Sequence, residues 1–400
     1  MHDVTVALLC AALVGLALVA AQVVVLRRHV RGPVAVGGGS PPISILKPLC
    51  GIDDALEANL ASFADLPYPA YEVVLGVASV EDPVWAVARA AARRWPHRFR
   101  VALQRGAPGQ NPKVNQLLTL ARAARHDLLV ISDSNVRVEP GYLAEIAALL
   151  GDPHVGLVTH PIVGVGEQTL GSRLDCLHLA SAVTPGMVAA LRVAGRPVVV
   201  GKSMAMRRAD LEAIGGFAVV KDVLAEDYVM GTLVTTALQK RVAVATRAVQ
   251  NVTERRTVEE FAARYRRWAV LQRQAAGPVP YAAMVLLNPV LLATVAVIAS
   301  RTRLALAGLA VTCLAKAALD GAAVSLLRRG GFGVAQLALS PLKDLVFGTA
   351  WAYGLVRRDV NWRGHRLVVR RGTYIDPAPS AHEPSEVPGG VHGAEEAATT

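Results

Sequence analysis

The stretch DLLVISDSN, Asp127 to Asn135, decides the fold class, because an apolar run ends there in polar side chains. Residues 127–132 are short and mostly aliphatic, which is typical of a buried strand. Asp133 follows the run at once, and Asn135 comes two positions later. Sheets of mainly parallel strands bind ligands at the carboxyl ends of those strands. The stretch therefore predicts a strand that carries two oxygen-bearing side chains to a ligand site.

Neighbouring segments repeat this pattern. Three more short apolar runs are typical of buried strands: ISILK (43–47), EVVLGV (72–77) and RVALQ (100–104). Amphipathic stretches typical of helices lie between the runs: residues 55–66, 84–95 and 113–124. Strands that alternate with helices predict an α/β domain with a mainly parallel sheet.

The N-terminal segment is apolar in a chain that is already 53% hydrophobic. Val4 to Leu26 carries no charge and is long enough to span a bilayer. Basic residues follow it at once, at 27, 28 and 31, so the next domain is expected in the cytoplasm. A cleaved signal peptide is the alternative, but its charge would precede the apolar run.

The C-terminal part contains three apolar segments, residues 277–300, 304–327 and 334–356. The first two are plausible spans, although Lys316 and Asp320 interrupt the second. The third holds Lys343 and Asp344 near its middle, which is costly in lipid. We expect this third segment to re-enter or to lie in the interface, which leaves the basic run 357–371 in the cytoplasm.

These patterns divide the chain into six predicted parts. They are an N-terminal transmembrane anchor (4–26), a linker (27–42), an α/β domain (43–275), a C-terminal membrane region (276–357), a cytoplasmic segment (358–375) and a disordered tail (376–400). The tail is rich in Pro, Gly, Glu, Ala and Ser, a composition typical of disorder.

The net charge and the cysteine usage limit the classes of binding partner and the redox compartment. The net charge is +11, and its basic clusters lie beside apolar segments, at 27–31, 264–273 and 357–371. An anionic membrane surface explains this placement more simply than nucleic acid does. The cysteines, Cys10, Cys50, Cys176 and Cys313, have no pairing pattern and no zinc motif. They suit a reducing compartment.

The segment VVVGKSM, Val198 to Met204, matches only the end of a nucleotide-binding P-loop. That motif needs four residues between its glycines, whereas five separate Gly195 from Gly201. The intervening residues 196–200 are strand-like and not glycine-rich. Nucleoside triphosphate hydrolysis is therefore disfavoured.

Carboxylates at the strand ends are the better candidates for chemistry. Asp82 follows the run 72–77, although Asp before Pro is also a turn signal. Asp133 and Asn135 can share a hard divalent cation, Mg²⁺ or Mn²⁺, that bridges two phosphates. In VLAEDYVMGT, residues 223–232, Glu226 and Asp227 interrupt an apolar run. They either stabilise a helix start or do chemistry, and the ten residues alone leave both readings open.

A basic helix follows in TVEEFAARYRRWAVLQRQ, residues 257–274, where Thr257 and Glu260 form a capping box. Arg264, Arg267 and Trp268 form one patch, because positions three and four apart meet on a helix. An interfacial amphipathic helix explains the pattern, and an arginine pair beside an indole also suits a diphosphate.

In this order the pieces SVEDP, SDSN, AEDY and RYRRW resemble the D, D, D, (Q/R)xxRW signature of ceramide glucosyltransferases, which form glycosyltransferase family 21. ISILKPLCG, YPAYEVVLGV, NPKVNQL and VNWRGHRLVVRRG also resemble that family, so the similarity covers residues 43–372. Bacterial hopanoid-associated glycosyltransferases share much of the pattern.

This resemblance implies a GT-A fold, a nucleotide-sugar-binding α/β domain with one N-terminal and two to three C-terminal membrane helices. It implies roles for the matching residues: Asp82, Asp133, Lys113 and Asn115 at the nucleotide sugar, Asp133 and Asn135 at the metal, Asp227 as catalytic base, and Arg264, Arg267 and Trp268 at the diphosphate and acceptor. Glu226 would hold local structure or raise the pKa of Asp227 by repulsion.

The implied activity is transfer of a hexose, glucose from UDP-glucose, to the hydroxyl of a ceramide-like lipid, by an enzyme of a bacterial-type inner membrane with a cytoplasmic catalytic domain. A hopanoid N-acetylglucosaminyltransferase stays open, as does a processive polysaccharide synthase, although the spans look too few for a polymer channel. A non-enzymatic transporter subunit or scaffold would suit the intramembrane charges but leaves the ordered motifs unexplained.

Overall fold

The structure is a computed structural model that describes residues 2–37, 39–362 and 365–377. Its helices are α1 His2–Val30, α2 Leu56–Ala61, α3 Val84–Arg94, α4 Pro112–Ala123, α5 Tyr142–Leu150, α6 Leu170–His178, α7 Thr184–Arg192, α8 Arg208–Ala213, α9 Glu226–Thr236, α10 Val258–Ala276, α11 Pro278–Ala283, α12 Pro289–Ser300, α13 Arg303–Leu327, α14 Val334–Leu337 and α15 Ser340–Val356. The predicted disordered tail lies, apart from its first two residues, outside the described residues.

The strands are β1 Ile43–Leu49, β2 Tyr71–Val77, β3 Phe99–Leu103, β4 Leu128–Ser132, β5 Val136–Arg137, β6 Val155–Thr159, β7 Ile162–Val165, β8 Ser203–Arg207, β9 Arg241–Val244, β10 Val249–Val252, β11 Asp359–Trp362, β12 His365–Val369 and β13 Ile375–Pro377. One sheet has seven strands in the order β3-β2-β1-β4-β8-β6-β9. β8 is antiparallel to both neighbours, and the other pairings are parallel. The predicted α/β class and mainly parallel sheet are confirmed.

Burial explains why the central strands read as continuous apolar runs. Every residue of β1, β2 and β4 is buried, because apolar clusters cover both faces of the sheet. A strand buried on both faces loses the alternating pattern of a half-exposed one. The expected strand at 196–200 is wrong: those residues are irregular, and β8 begins only at Ser203.

The predicted cytoplasmic segment forms a small sheet of β11, β12 and β13. Val360, Leu367 and Val369 on this sheet pack with Leu224, just before α9, and Val270 of α10. The Leu224 N–H also donates to the carbonyl of Thr373 at 2.9 Å. The chain after the membrane region therefore returns to the loop that leads into α9.

Among the described residues, three helices are long and apolar enough to cross a membrane: Asp3–Val30, Leu170–Arg192 and Arg303–Leu327. The first continues past the predicted linker start at residue 27. The second joins α6 to α7 through a π-helical turn, Leu179–Val183, and is 67% buried inside the protein, a segment that the sequence analysis did not single out. The segment 278–300 is bent by 83°, where Pro289 starts a new helix.

The charges that interrupt the C-terminal apolar segments are paired with one another. Lys343 lies 2.7 Å from Asp320 and 3.0 Å from Asp344, while Lys316 contacts the same two carboxylates. All four side chains are buried, and Lys343 also donates to Ser181 at 3.0 Å. The charge quartet Lys316–Asp320–Lys343–Asp344 is neutral as a set and ties α13, α15 and the π-helical turn together.

We predict that Asp320→Asn destabilises the protein by about 3–5 kcal/mol, because removing one partner leaves a buried charge without compensation. The measurement is thermal unfolding of the chain purified in detergent. Glu212→Gln, which neutralises an exposed carboxylate on α8, is the matched control and should leave the melting temperature unchanged.

A double variant separates charge balance from polarity. Lys343→Met with Asp320→Leu removes one charge of each sign and leaves Lys316 facing Asp344. We expect it to be more stable than Asp320→Asn, since apolar replacement of a buried pair is often tolerated. Equal destabilisation of the two variants would contradict a role for charge balance in this quartet.

Candidate active site

The candidate site lies at one edge of the large sheet, where the parallel strands β1, β2 and β4 end. Because β8 is antiparallel to β4, its first residue, Ser203, pairs with Ser132, the last residue of β4. Lys202 therefore lies beside Asp133, whose N–H donates to the carbonyl of Lys202 at 3.2 Å. The N-termini of α4 and α9 reach this edge as well, since Lys113 and Glu226 are in contact there.

Lys113 joins two of the predicted acidic motifs. Its ammonium lies 2.9 Å from Asp133 Oδ1 and 2.8 Å from Glu226 Oε1, and it donates to the carbonyl of Gly201 at 3.2 Å. Asn111 caps α4 by accepting from the Lys113 N–H, which holds the start of this helix. The prediction of Lys113 at the site thus has a geometric basis: one cation joins β4, α9 and the loop before β8.

A second lysine holds the other side of Asp133. Lys202 Nζ lies 2.9 Å from Asp133 Oδ2 and donates to Asn135 Oδ1 at 2.8 Å. A third, Lys47 on β1, donates to Ser132 Oγ and to the carbonyl of Asp133, with its ammonium 3.9 Å from the ring centroid of Phe63. Burial lowers the pKa of Lys47 to about 7, although Asp133 opposes that change.

Opposite charges determine the protonation of this cluster. Burial alone would raise the pKa of Asp133, but Lys113 and Lys202 outweigh it and hold that pKa well below its ordinary value. The pKa of Lys113 is raised against the effect of burial, because Asp133 and Glu226 lie beside it. Asp133 is therefore ionised at neutral pH, with one ammonium group on each of its carboxylate oxygens.

Asp227 is half-buried at the start of α9 and is held by two backbone N–H groups. Its Oδ2 accepts from Gly201 at 2.6 Å, and its Oδ1 accepts from Tyr228 at 2.8 Å. Burial, and then the charge of Glu226, raise the pKa of Asp227 to about 6. A Cβ atom on Gly201 would lie 2.9 Å from Asp227 Oδ2, so this close approach needs glycine.

The helix-start reading of the pair Glu226–Asp227 is confirmed, and a chemical role of the pair stays a prediction. The two carboxylates occupy the first turn of α9, where the helix dipole favours negative charge. Glu226 is buried and binds Lys113, while Asp227 is directed to the loop before β8. The two side chains therefore have different partners: Glu226 pairs with Lys113, and Asp227 accepts from the Gly201 N–H.

Two predicted nucleotide-sugar residues are engaged with backbone atoms in this structure. Asp82 accepts from the Gly51 N–H at 3.0 Å and from the Val84 N–H at 2.9 Å, so it joins the loops after β1 and β2. The amide of Asn115 donates to and accepts from Gly109, at 2.8 and 3.0 Å. Asp82 lies two strands from Asp133, and Asn115 shapes the loop before α4; their roles at the donor stay predictions.

The basic patch on α10 is also partly engaged. Thr257 and Glu260 form the predicted capping box. Arg264 is buried and lies 2.9 Å from Asp175 Oδ2, and its guanidinium lies 5.0 Å from the ring centroid of Trp268. Arg267, on the same helix, is half-buried.

Sequence reasoning missed Lys47, Lys202 and Asp175. Asp175 of α6 is fully buried and accepts from Arg256, Arg264 and the Tyr265 hydroxyl. A charged residue inside an apolar run is the signal that would have found Lys47 and Lys202. Asp175 has the same signal, since it lies inside the apolar segment Leu170–Arg192, but its partners lie about eighty or more positions away and could not be read from the sequence.

The donor atoms at this edge fit a divalent cation. Asp133 Oδ2 and Asn135 Oδ1 converge on one cation, the ammonium of Lys202, at 2.9 and 2.8 Å. Hard oxygen ligands suit Mg²⁺ or Mn²⁺, and Mg²⁺ is usually bound by one or two carboxylates with substrate phosphates. Among the described residues, no group of three or more His, Cys, Asp or Glu side chains could hold a metal ion. A cation bound by Asp133 and Asn135 would therefore need phosphate oxygens as its remaining ligands.

Curated relatives of the chain are ceramide glucosyltransferases. Ceramide glucosyltransferase 1 of Caenorhabditis elegans is 29% identical over 238 residues, which is 58% of this chain and 50% of that protein. The ceramide glucosyltransferase of Komagataella phaffii is 32% identical over 193 residues, 42% of this chain and 38% of that protein. The chain thus spans half or less of the length of these relatives.

The fold is that of GT-A glycosyltransferases. The mannosyltransferase PcManGT of Pyrobaculum calidifontis, solved with GDP-Man and Mn²⁺, superposes with a TM-score of 0.50 at 20% identity, over 88% of this chain and 96% of that one. The sequence also matches the model of glycosyl transferase family 21 over residues 7–375. Since that match covers most of the chain, the protein belongs to glycosyl transferase family 21.

Proposed function

We propose that this protein transfers a hexose from a nucleotide sugar to the hydroxyl of a membrane lipid. The observation that carries the proposal is Asp227, a half-buried carboxylate whose pKa is raised to about 6, across Gly201 from the Asp133–Lys113–Lys202 cluster. The family supports the same reaction class. UDP-glucose as donor and a ceramide-like acceptor are the finer proposal, because the curated relatives are ceramide glucosyltransferases.

Asp227 acts as general base in this proposal. A base works best when its pKa lies near the operating pH, and a carboxylate raised to about 6 meets that condition better than an ordinary one. The N–H groups of Gly201 and Tyr228 fix its orientation. It removes the proton from the acceptor hydroxyl as that oxygen attacks the anomeric carbon, and the nucleoside diphosphate leaves.

Positive side chains at the same edge stabilise the leaving diphosphate. Lys113 and Lys202 lie within 2.9 Å of Asp133, and Arg264 is held nearby by Asp175. Preorganised cations of this kind stabilise developing negative charge. A divalent cation, Mg²⁺ or Mn²⁺, held by Asp133 and Asn135 would supply further charge stabilisation when bound. Asp82, Asn115, Arg267 and Trp268 are proposed to shape the donor and acceptor sites around this centre.

The helices support a membrane setting for the acceptor. α1 packs against α12 and α13, and α10 with its basic patch packs against α15. We infer an integral membrane protein of a bacterial-type inner membrane with its catalytic domain in the cytoplasm, since basic residues follow the first span directly. We propose the same interfacial or re-entrant position for 334–356, which divides into the four-residue helix α14 and the separate helix α15.

The charge quartet weakens the transporter or scaffold alternative. That alternative depended on charges inside apolar helices, and these charges neutralise one another in a buried set. A polysaccharide synthase and a hopanoid N-acetylglucosaminyltransferase share the motifs, and products separate them from the proposal. Lipid mass spectrometry of a host that expresses the gene should show one added hexose, whereas N-acetylhexosaminyl lipid or labelled polymer would favour an alternative.

We predict that Asp227→Asn binds the donor normally but loses at least ~10²-fold in kcat, because general-base assistance is lost. The assay is transfer from radiolabelled UDP-glucose to ceramide in detergent micelles. Asp222→Asn is the matched control: this carboxylate lies in the loop before α9, beside Lys221, and its variant should keep the wild-type kcat. Near-normal turnover of Asp227→Asn would remove Asp227 from the base role.

The raised pKa of Asp227 makes a separate prediction about pH. The base must be deprotonated, so kcat should be maximal well above pH 6 and should fall as the pH is lowered through about 6. A pH–rate profile of the wild type tests the position of this limb. The residual activity of Asp227→Asn should not fall as the pH is lowered through about 6. If the fall persisted in this variant, the titrating group would be a residue other than Asp227.

We also predict that transfer requires Mg²⁺ or Mn²⁺ and that Asp133→Ala binds UDP at least ~10-fold more weakly in their presence. Calorimetric titration with UDP measures this. Asp127→Asn is the control, because that side chain is 93% exposed near the opposite end of β4. Full activity in excess chelator, or unchanged UDP affinity of Asp133→Ala, would contradict the proposed ligand.

A further inference from the structure

The segment Gly201–Lys202, set aside above as a failed P-loop match, lies at the centre of the site. The Gly201 N–H donates to Asp227 and its carbonyl accepts from Lys113. The next residue, Lys202, places its ammonium between Asp133 Oδ2 and Asn135 Oδ1, at 2.9 and 2.8 Å. The motifs found in the sequence assign no role to Lys202.

The position of this ammonium is that of a bound cation. The two oxygens that it contacts are the same two that we assign to the divalent metal. Mg²⁺ would need those oxygens at about 2.0–2.1 Å, which leaves no room for a nitrogen between them. Two positive charges at one position also repel each other strongly. The ammonium and the metal therefore exclude each other.

The sheet fixes the backbone of Lys202 but not the end of its side chain. β8 pairs with β4, and the Asp133 N–H donates to the Lys202 carbonyl at 3.2 Å. The ammonium is carried on a flexible four-carbon stem. About a fifth of the side chain, 19%, is exposed, so it has a path towards solvent. The side chain can move away while the strand stays in place.

We propose that Lys202 is a built-in cation that occupies the position between Asp133 and Asn135 when no donor is bound, and that a divalent metal enters only by displacing it. This inference rests on the metal site of the proposed function. Exchange replaces one positive charge by two and frees an ammonium beside the diphosphate position. The free protein consequently binds metal weakly, and the metal arrives together with the nucleoside diphosphate, whose oxygens complete its ligands.

The test measures Mn²⁺ binding to the full chain in detergent without any donor, using the electron paramagnetic resonance signal of free Mn²⁺. Lys202→Met should bind one Mn²⁺ at least ~10-fold more tightly than the wild type, because the competing cation is gone. Lys202→Gln should gain affinity as well, which keeps the test decisive if one variant fails to fold. Lys221→Met, which removes an exposed lysine, should leave binding unchanged.

A second substitution shows whether the additional Mn²⁺ affinity arises at Asp133. The double variant Asp133→Ala with Lys202→Met should not show the increased Mn²⁺ affinity, since the Asp133 carboxylate that binds either cation is absent. In the wild-type chain, saturating Mn²⁺ should increase reductive methylation of Lys202, read by peptide mass spectrometry, with Lys221 as internal reference.

Three results would overturn the proposal: Mn²⁺ affinity of both Lys202 variants equal to or below that of the wild type, a gain that survives Asp133→Ala, or unchanged methylation of Lys202 in metal-loaded protein. None of these measurements uses sugar transfer. A chain that lacks the proposed transferase activity can therefore still pass this test, and an active transferase can fail it.

Discussion

The contact on which the site depends is the ammonium of Lys113 between Asp133 and Glu226. These carboxylates are 93 positions apart in sequence, one after a strand and one in the first turn of a helix. Without a cation between them, their charges would repel across a partly buried gap. The pairing brings α9 to the sheet edge, and that in turn places Asp227 against Gly201.

The protein contains two ionic clusters with opposite physical character. The charge quartet is fully buried, neutral and closed, with its charges compensated inside the set. The cluster around Asp133 is only partly buried: Lys113 and Lys202 both lie 2.9 Å from the Asp133 carboxylate, Lys113 also lies 2.8 Å from Glu226, and 18% and 19% of the two lysine side chains stay exposed. The first arrangement suits packing between helices, and the second suits binding a phosphorylated ligand.

Patterns among neighbouring residues in the sequence predicted much of the fold. The buried strands β1, β2 and β4, the capping box at Thr257 and the polar residues after β4 depend on neighbours in sequence, and the structure contains each of them. The run 100–104 was also expected to be a buried strand, but β3 is a mostly half-exposed strand at the edge of the sheet. Interactions between residues that are distant in sequence could not be predicted. Nothing near Asp175 in the sequence predicts its bond to Arg264, which lies 89 positions away. Lys202 was visible, but only tertiary pairing of β8 with β4 gives it a partner.

The helical segment 170–192 links the charge quartet to the basic patch on α10. Near its start Asp175 holds Arg264 of the basic patch, and at its π-helical turn Ser181 accepts from Lys343 of the charge quartet. Helical geometry fixes the distance between these contacts, so one segment packs against α13 and also holds Arg264 through Asp175. A π-helical turn interrupts the regular α-helical hydrogen bonding and is frequent at functional sites. Here it lies between Asp175 and the contact with Lys343, so the packing of α13 and α15 and the geometry around Arg264 depend on one element.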